Sequence, residues 1–250
     1  MNWRETNDIK YKQFINEMKP FKFLSGQFQC RILGLSDIEG AGYFLKGSGG
    51  YLTYKNRYFL VTNYHVVEDL SLKKVIAPCV SNGRKIAKLI DDKRDSDSDI
   101  AVFEIDRSSI ENFEGKGFIN QKLIKSNPIS YLKKYNPVFL HASPGEKSSI
   151  NYESKEVNLT TFPYCTFAKG TLRDYLIKLS ADTYGINEIG DKQNVPKFTG
   201  MSGSWAYSYH PKSLLPYKCI GLLSMGTPES GNIWAIKIDN IIEFINKYFF

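Results

Sequence analysis

The sequence is short of the groups that bind metals or form disulfides. It has four cysteines in 250 residues, Cys30, Cys79, Cys165 and Cys219, and no two of them fall in a C-x-x-C pair. That spacing offers no zinc site, and isolated cysteines read as buried thiols in a reducing compartment. There are only three histidines, His65, His141 and His210. No apolar run approaches the ~18 residues of a spanning helix, so no membrane contact is expected. The opening Met1-Asn2-Trp3-Arg4-Glu5-Thr6 is polar and has no signal-peptide pattern, from which a cytoplasmic location is expected. No cofactor motif and no internal repeat is visible. The charge excess, 33 − 26 = +7, is not gathered into a basic run interleaved with aromatics. It reads as solvated surface lysine, and no nucleic-acid partner is expected.

What is present points to strands. Sixteen tyrosines, sixteen phenylalanines and many β-branched residues favour them. Hydrophobic content of 42% with 24% charged residues describes a folded globular chain. Residues 5–18 place Ile9, Phe14, Ile15 and Met18 on one face of a short helix, stopped by Pro20. From Phe28 the period becomes two. Strands are expected at 28–33, 40–45, 51–54 and 57–62, the last two closed by Lys55-Asn56. Two more follow at 75–80 and 85–90, and then a buried one at 100–105, with the charged stretch 91–97 as a loop. After a linker, strands are expected at 137–142, 157–168, 172–180, 205–209, 217–225 and 233–238. Asp239 is the expected N-cap of a closing amphipathic helix. The expectation is an all-β fold of two six-stranded antiparallel β-barrels with a short N-terminal and a C-terminal helix. The divisions are 1–24 for the helical segment, 25–115 and 136–250 for the barrels, and 116–135 for the linker.

Three places carry candidate chemistry. Gly200-Met201-Ser202-Gly203-Ser204 is a small-residue turn before an apolar strand. Glycines beside a serine permit a sharp turn and close approach of a substrate, although an ordinary tight turn has the same composition. His65 follows the apolar strand ending at Thr62; a lone histidine there can also be purely structural, and His141 and His210 read as structural or solvent-facing. Asp99 heads the apolar run Ile100-Ala101-Val102-Phe103, where a carboxylate needs a partner. Asp91, Asp92, Asp95 and Asp97 lie in polar surroundings, with Asp97 the nearest competitor.

Together, Thr62-Asn63-Tyr64-His65-Val66-Val67, Ser98-Asp99-Ile100-Ala101-Val102 and Gly200-Met201-Ser202-Gly203-Ser204 resemble the histidine, aspartate and serine motifs of trypsin-like serine peptidases, in that family's order. The style is similar to bacterial HtrA-type and glutamyl endopeptidases. Gly221-Leu222-Leu223-Ser224-Met225-Gly226 resembles the family's substrate-lining strand, so the likeness spans residues 25–250 in patches. The resemblance implies Ser202 as nucleophile, His65 as general base and then acid, and Asp99 as the orienting carboxylate. It implies an oxyanion hole from the N–H groups of Gly200 and Ser202, support of Asp99 by Ser224, and strand pairing of a peptide substrate with Met225 and Gly226. Met201 replaces the family's usual Asp or Asn, and there is no Ile-Val-Gly-Gly start, so activation by a freed N-terminus is not expected. Lys197, near the base of the implied substrate pocket, suits an acidic side chain if it points inward; an apolar pocket is the alternative. A protein or peptide substrate, an activating protein partner, no cofactor and no metal complete the expectation.

Overall fold

The computed structural model describes residues 16, 21, 24–37, 42–79, 85–113, 117–126, 137–145, 149–151, 156–158, 162–173, 176–180, 184–186, 192–194, 198–210, 214–227 and 231–250. Of the helix expected over 5–18, Asn16 alone is described, and it is helical; Phe21 and residues 24–27 are helical too. Phe21 is buried and stacks on Tyr217, 4.0 Å between ring centroids, so this part of the N-terminal segment packs on the body.

The first sheet is built from β1 (Gln29–Leu35), β2 (Tyr43–Tyr54), β3 (Arg57–Thr62), β4 (Val75–Ile76), β5 (Leu89–Asp95) and β6 (Ile100–Ile105). Its order is β4-β1-β2-β3-β6-β5. Lys55 and Asn56 join β2 to β3 with φ of 47° and 60°, the left-handed pair that suits the twist of a two-residue hairpin. The sheet curls until its ends nearly meet. Beyond β4, the Ala87 N–H reaches the Ala77 carbonyl (2.8 Å) and the Cys79 N–H the Lys85 carbonyl (2.7 Å). An isolated bridge therefore stands where a full ladder would close the barrel. The second sheet does close: β7 (Pro137–Ala142), β10 (Phe162–Arg173), β11 (Leu176–Ser180), β14 (Trp205–Tyr209), β15 (Tyr217–Thr227) and β16 (Asn232–Lys237) form a barrel in the order β10-β11-β16-β15-β14-β7. Two small hairpins decorate it, β8 (Ser149–Asn151) with β9 (Glu156–Asn158), and β12 (Tyr184–Ile186) with β13 (Lys192–Asn194).

Alternation explains the packing. In β7, Val138, Leu140 and Ala142 face the second barrel's interior, which Met201, Ile220 and Ile233 also fill. Phe139 faces the other way, into a shared seam with Leu52, Phe59, Val61, Trp205 and Leu222. The final helix lays Ile241, Phe244 and Ile245 on the same seam. Between the sheets, Ile119 bridges to Leu52 and Ile124 to Cys219, so the described part of the expected linker is tied to both halves.

Several local expectations are corrected. The strands expected at 40–45 and 51–54 are one long strand, β2, and those expected at 75–80 and 85–90 are, among the described residues, strand only over Val75–Ile76 and from Leu89 onward. The charged stretch 91–97 is not wholly a loop: residues 91–95 belong to edge strand β5, paired with β6. The charges are accommodated by short-range pairs on the exposed edge, Lys93 with Asp91 and Arg94 with Asp92. Arg94 also donates to the carbonyls of Val67 (2.8 Å) and Leu70 (2.5 Å). The closing helix runs Ile238–Phe249 with Lys237 at its N-cap; Asp239 sits inside the first turn, where a negative charge still favours the helix dipole. All four cysteines are free and buried. Burial pushes the Cys79 thiol up to about 12. Among the described residues there is no cluster of three potential metal ligands, and no helix long and apolar enough to cross a membrane.

Candidate active site

The first sheet supplies a histidine and a carboxylate. β3 ends at buried Thr62, and helix α1 (Tyr64–Val67) follows with Asn63 at its N-cap. His65 is its second residue. Asp99 lies just before β6 with φ 55°, a left-handed conformation that aspartate tolerates better than most residues. Its backbone carbonyl accepts from the Tyr64 N–H (3.2 Å) and from Asn63 Nδ2 (3.2 Å). Its carboxylate accepts from the His65 backbone N–H (3.1 Å) and lies 2.8 Å from His65 Nδ1. Asp99 thus grips both the backbone and the ring of His65. Asp97 is in the preceding turn, where its N–H caps Asp95 (3.2 Å).

The second barrel supplies a serine. The turn from Phe198 to Ser204 is made by Met201 N–H donating to Phe198 O (2.9 Å) and Ser204 N–H to Met201 O (3.1 Å), with Gly200 and Gly203 at φ 83° and 91°. A Cβ at Gly203 would lie 1.9 Å from the Ser48 carbonyl. Glycine is required there by both conformation and space. The turn is tied to β15, since Gly203 N–H donates to Leu223 O (2.8 Å) and Leu223 N–H to Ser204 O (2.7 Å). It is also tied to the first sheet, by Ser48 N–H to Ser202 O (2.8 Å). Met201, the departure from the usual acidic residue, is buried among apolar side chains of the second barrel.

The two halves meet at Ser224. A register irregularity between Leu223 and Met225 in the β15–β16 ladder releases it from regular pairing. Ser224 Oγ donates to Asp99 Oδ2 (2.7 Å), while its carbonyl accepts from Ser202 Oγ (2.7 Å). Burial is the largest influence on the Asp99 carboxyl and pushes its pKa up. The hydrogen bonds from His65 and Ser224 outweigh it, so the net displacement is below the ordinary value. The His65 side chain is 45% exposed, against 19% for Asp99, so the face of the ring away from Asp99 is open. It opens on a cavity of about 380 Å³ lined by His65, Thr199, Ser202, Ser224, Met225 and Gly226, with Phe198, Leu223 and Ile233 giving it apolar walls.

His65, Asp99, Ser202, Ser224, Met225 and Gly226 are therefore gathered in one place; Lys197 lies outside the described residues. Among the described residues the Ser202 hydroxyl engages Ser224 and not His65. The N–H groups of Gly200 and Ser202 have no hydrogen-bond partner among the described residues. The preceding peptide is held by Gly145 N–H on Thr199 O (2.9 Å). The Gly200 carbonyl is held by Ser48 Oγ (2.8 Å) and Arg31 Nη1 (3.0 Å). Neither Ser48 nor Arg31 was singled out by the motifs. Arg31 lies in an alternating segment whose polar positions read as solvent-facing, and no signal in that segment marks it.

No family model matches the sequence, and no curated protein matches it. Among solved structures, the Rv3671c protease of M. tuberculosis in its active form superposes with a TM-score of 0.56, covering 90% of this chain and 82% of that one at 12% identity. At that identity the likeness speaks for the fold: this chain has a chymotrypsin-like architecture in which one six-stranded barrel is closed and the other sheet is a half-barrel.

Proposed function

We propose that the protein is a serine endopeptidase of trypsin-like design, and the observation that carries this is the continuous hydrogen-bonded chain from His65 through Asp99 and Ser224 to Ser202. Ser202 Oγ attacks the scissile carbonyl carbon as His65 Nε2 takes its proton. Asp99 holds the Nδ1–H tautomer and stabilises the imidazolium. The N–H groups of Gly200 and Ser202, which have no partner among the described residues, receive the oxyanion. His65 then protonates the leaving amine, and water reverses the sequence on the acyl-enzyme. The reaction requires the Ser202 hydroxyl to turn from the Ser224 carbonyl to His65. The peptide would lie as an added strand along the edge at Met225 and Gly226. The apolar walls of the cavity favour an apolar side chain at its mouth.

The test is covalent labelling by a fluorophosphonate probe. Labelling of the wild type and its loss in S202A are expected. A wild type inert to the probe, alone and with candidate protein activators, would end the proposal. One observation favours a second reading, a non-cleaving peptide-binding module: the Ser202 hydroxyl is engaged by a carbonyl rather than by the base. Peptide binding by a wild type that never labels would select it.

A further inference from the structure

Arg31 is 2% exposed, in the middle of β1. Its neighbours Cys30 and Ile32 join the first sheet's own core, so Arg31 faces the opposite way, toward the second barrel. Among the described residues its guanidinium has no carboxylate partner. It donates instead to main-chain carbonyls of three separate segments: Nη1 to Ser143 and to Gly200 (3.0 Å), and Nη2 to Lys46 (3.3 Å). Burial draws its pKa down to about 10, which still leaves it charged near neutrality. A buried cation without a counter-ion costs free energy. Its position calls for something that a neutral side chain would not supply.

The carbonyls it holds surround the serine turn. A Cβ at Gly200 would lie 2.3 Å from Nη1, so the guanidinium sits directly against the glycine. It shares the Gly200 carbonyl with Ser48 Oγ, and this fixes the peptide following Gly200. Ser143, its other Nη1 acceptor, is two residues before Gly145, whose N–H holds the Thr199 carbonyl. That contact fixes the peptide preceding Gly200. A trans peptide is planar, so a fixed carbonyl fixes the direction of the N–H on its other side.

We propose that Arg31 is a positioning residue for the oxyanion turn, setting the Gly200 N–H from behind. The assignment rests on the peptidase reading above. It casts an internal arginine as the brace of a turn whose central residue, Met201, has no charge of its own.

The experiment compares R31M with wild type by crystallography of the turn, by thermal midpoint, by kcat and KM on one peptide, and by affinity for a peptide boronic acid that mimics the tetrahedral adduct. R31M is expected to fold with the Thr199–Gly200 peptide displaced. Its kcat should fall by about 10²-fold, the effect of one lost oxyanion donor. KM should not change in proportion, and boronate affinity should fall in step with kcat. R31K, which keeps the charge but not the planar fork, should recover part of the rate. If R31M does not fold, R31Q carries the same test. A wild type inert to the fluorophosphonate probe sinks the peptidase reading alone. A turn left in place by R31M, or boronate affinity unchanged, sinks the assignment of Arg31 alone.

Discussion

Asp99 is the most constrained residue of the site. Its left-handed φ lets one residue present its carbonyl to Asn63 and Tyr64 and its carboxylate to His65 and Ser224. Replacing it with asparagine keeps the shape but presents the imidazole with the wrong tautomer, so D99N should lose about 10⁴-fold in kcat while binding peptides normally. S224A removes one hydroxyl and leaves the carbonyl that receives Ser202; a loss of about 1 kcal/mol, or roughly fivefold in rate, is expected from steady-state kinetics. The two variants separate holding the base from holding the holder. Acid should reveal the same contacts in stability. The folded Asp99 carboxyl lies below its unfolded value. It therefore contributes stability above the unfolded pKa and loses it as pH falls from there through the folded one. Urea midpoints across that range should show wild type and D99N converging as pH drops, and a constant gap would contradict this account.

At the scale of elements, legibility followed burial geometry. β7 and β14 were readable to the residue, because one face of each strand meets a core and the other meets the seam. The positions of His65, Asp99 and Ser202 at strand ends and turns were readable too, since each follows or precedes an apolar strand. Two things were not. β5 hides its strand character under charges that pair along an exposed edge. Arg31 hides because polar residues on a strand suggest solvent, whereas β1 is buried on both faces, with a register shift in its pairing to β2 between Arg31 and Leu33. Long-range contacts between residues more than a hundred positions apart leave no local trace. The turn at Gly203 illustrates the same point from the other side. Any larger residue meets the Ser48 carbonyl and a strained φ, so G203A should cost roughly 3 kcal/mol or more in urea unfolding. A smaller loss would mean that the turn and β2 can separate.

At the scale of the molecule, the seam between the two sheets carries Trp205, Tyr207, Phe59 and Phe139 and receives the C-terminal helix, α2 (Ile238–Phe249). Ile245 is fully buried there. I245A should lower stability by about 2–5 kcal/mol, as large-to-small changes in a core do, and calorimetry would measure it. Arg57 fastens the helix end by donating to the Phe249 carbonyl while it pairs with Glu104 on β6. A basic group at a helix C-terminus satisfies orphan carbonyls and favours the dipole.

The catalytic candidates themselves straddle that seam. His65 and Asp99 come from one side, Ser202 and Ser224 from the other, and the bonds Ser48–Ser202 and Ser224–Asp99 cross it. A molecule seated in the cleft must be expelled before the two halves can part. Its binding free energy is then added to the stability of the whole fold in proportion to RT ln(1 + [L]/Kd). The melting curve of this protein thus doubles as a detector of its ligands, and panels of peptides can be ranked by thermal shift in S202A, which lacks the proposed nucleophile.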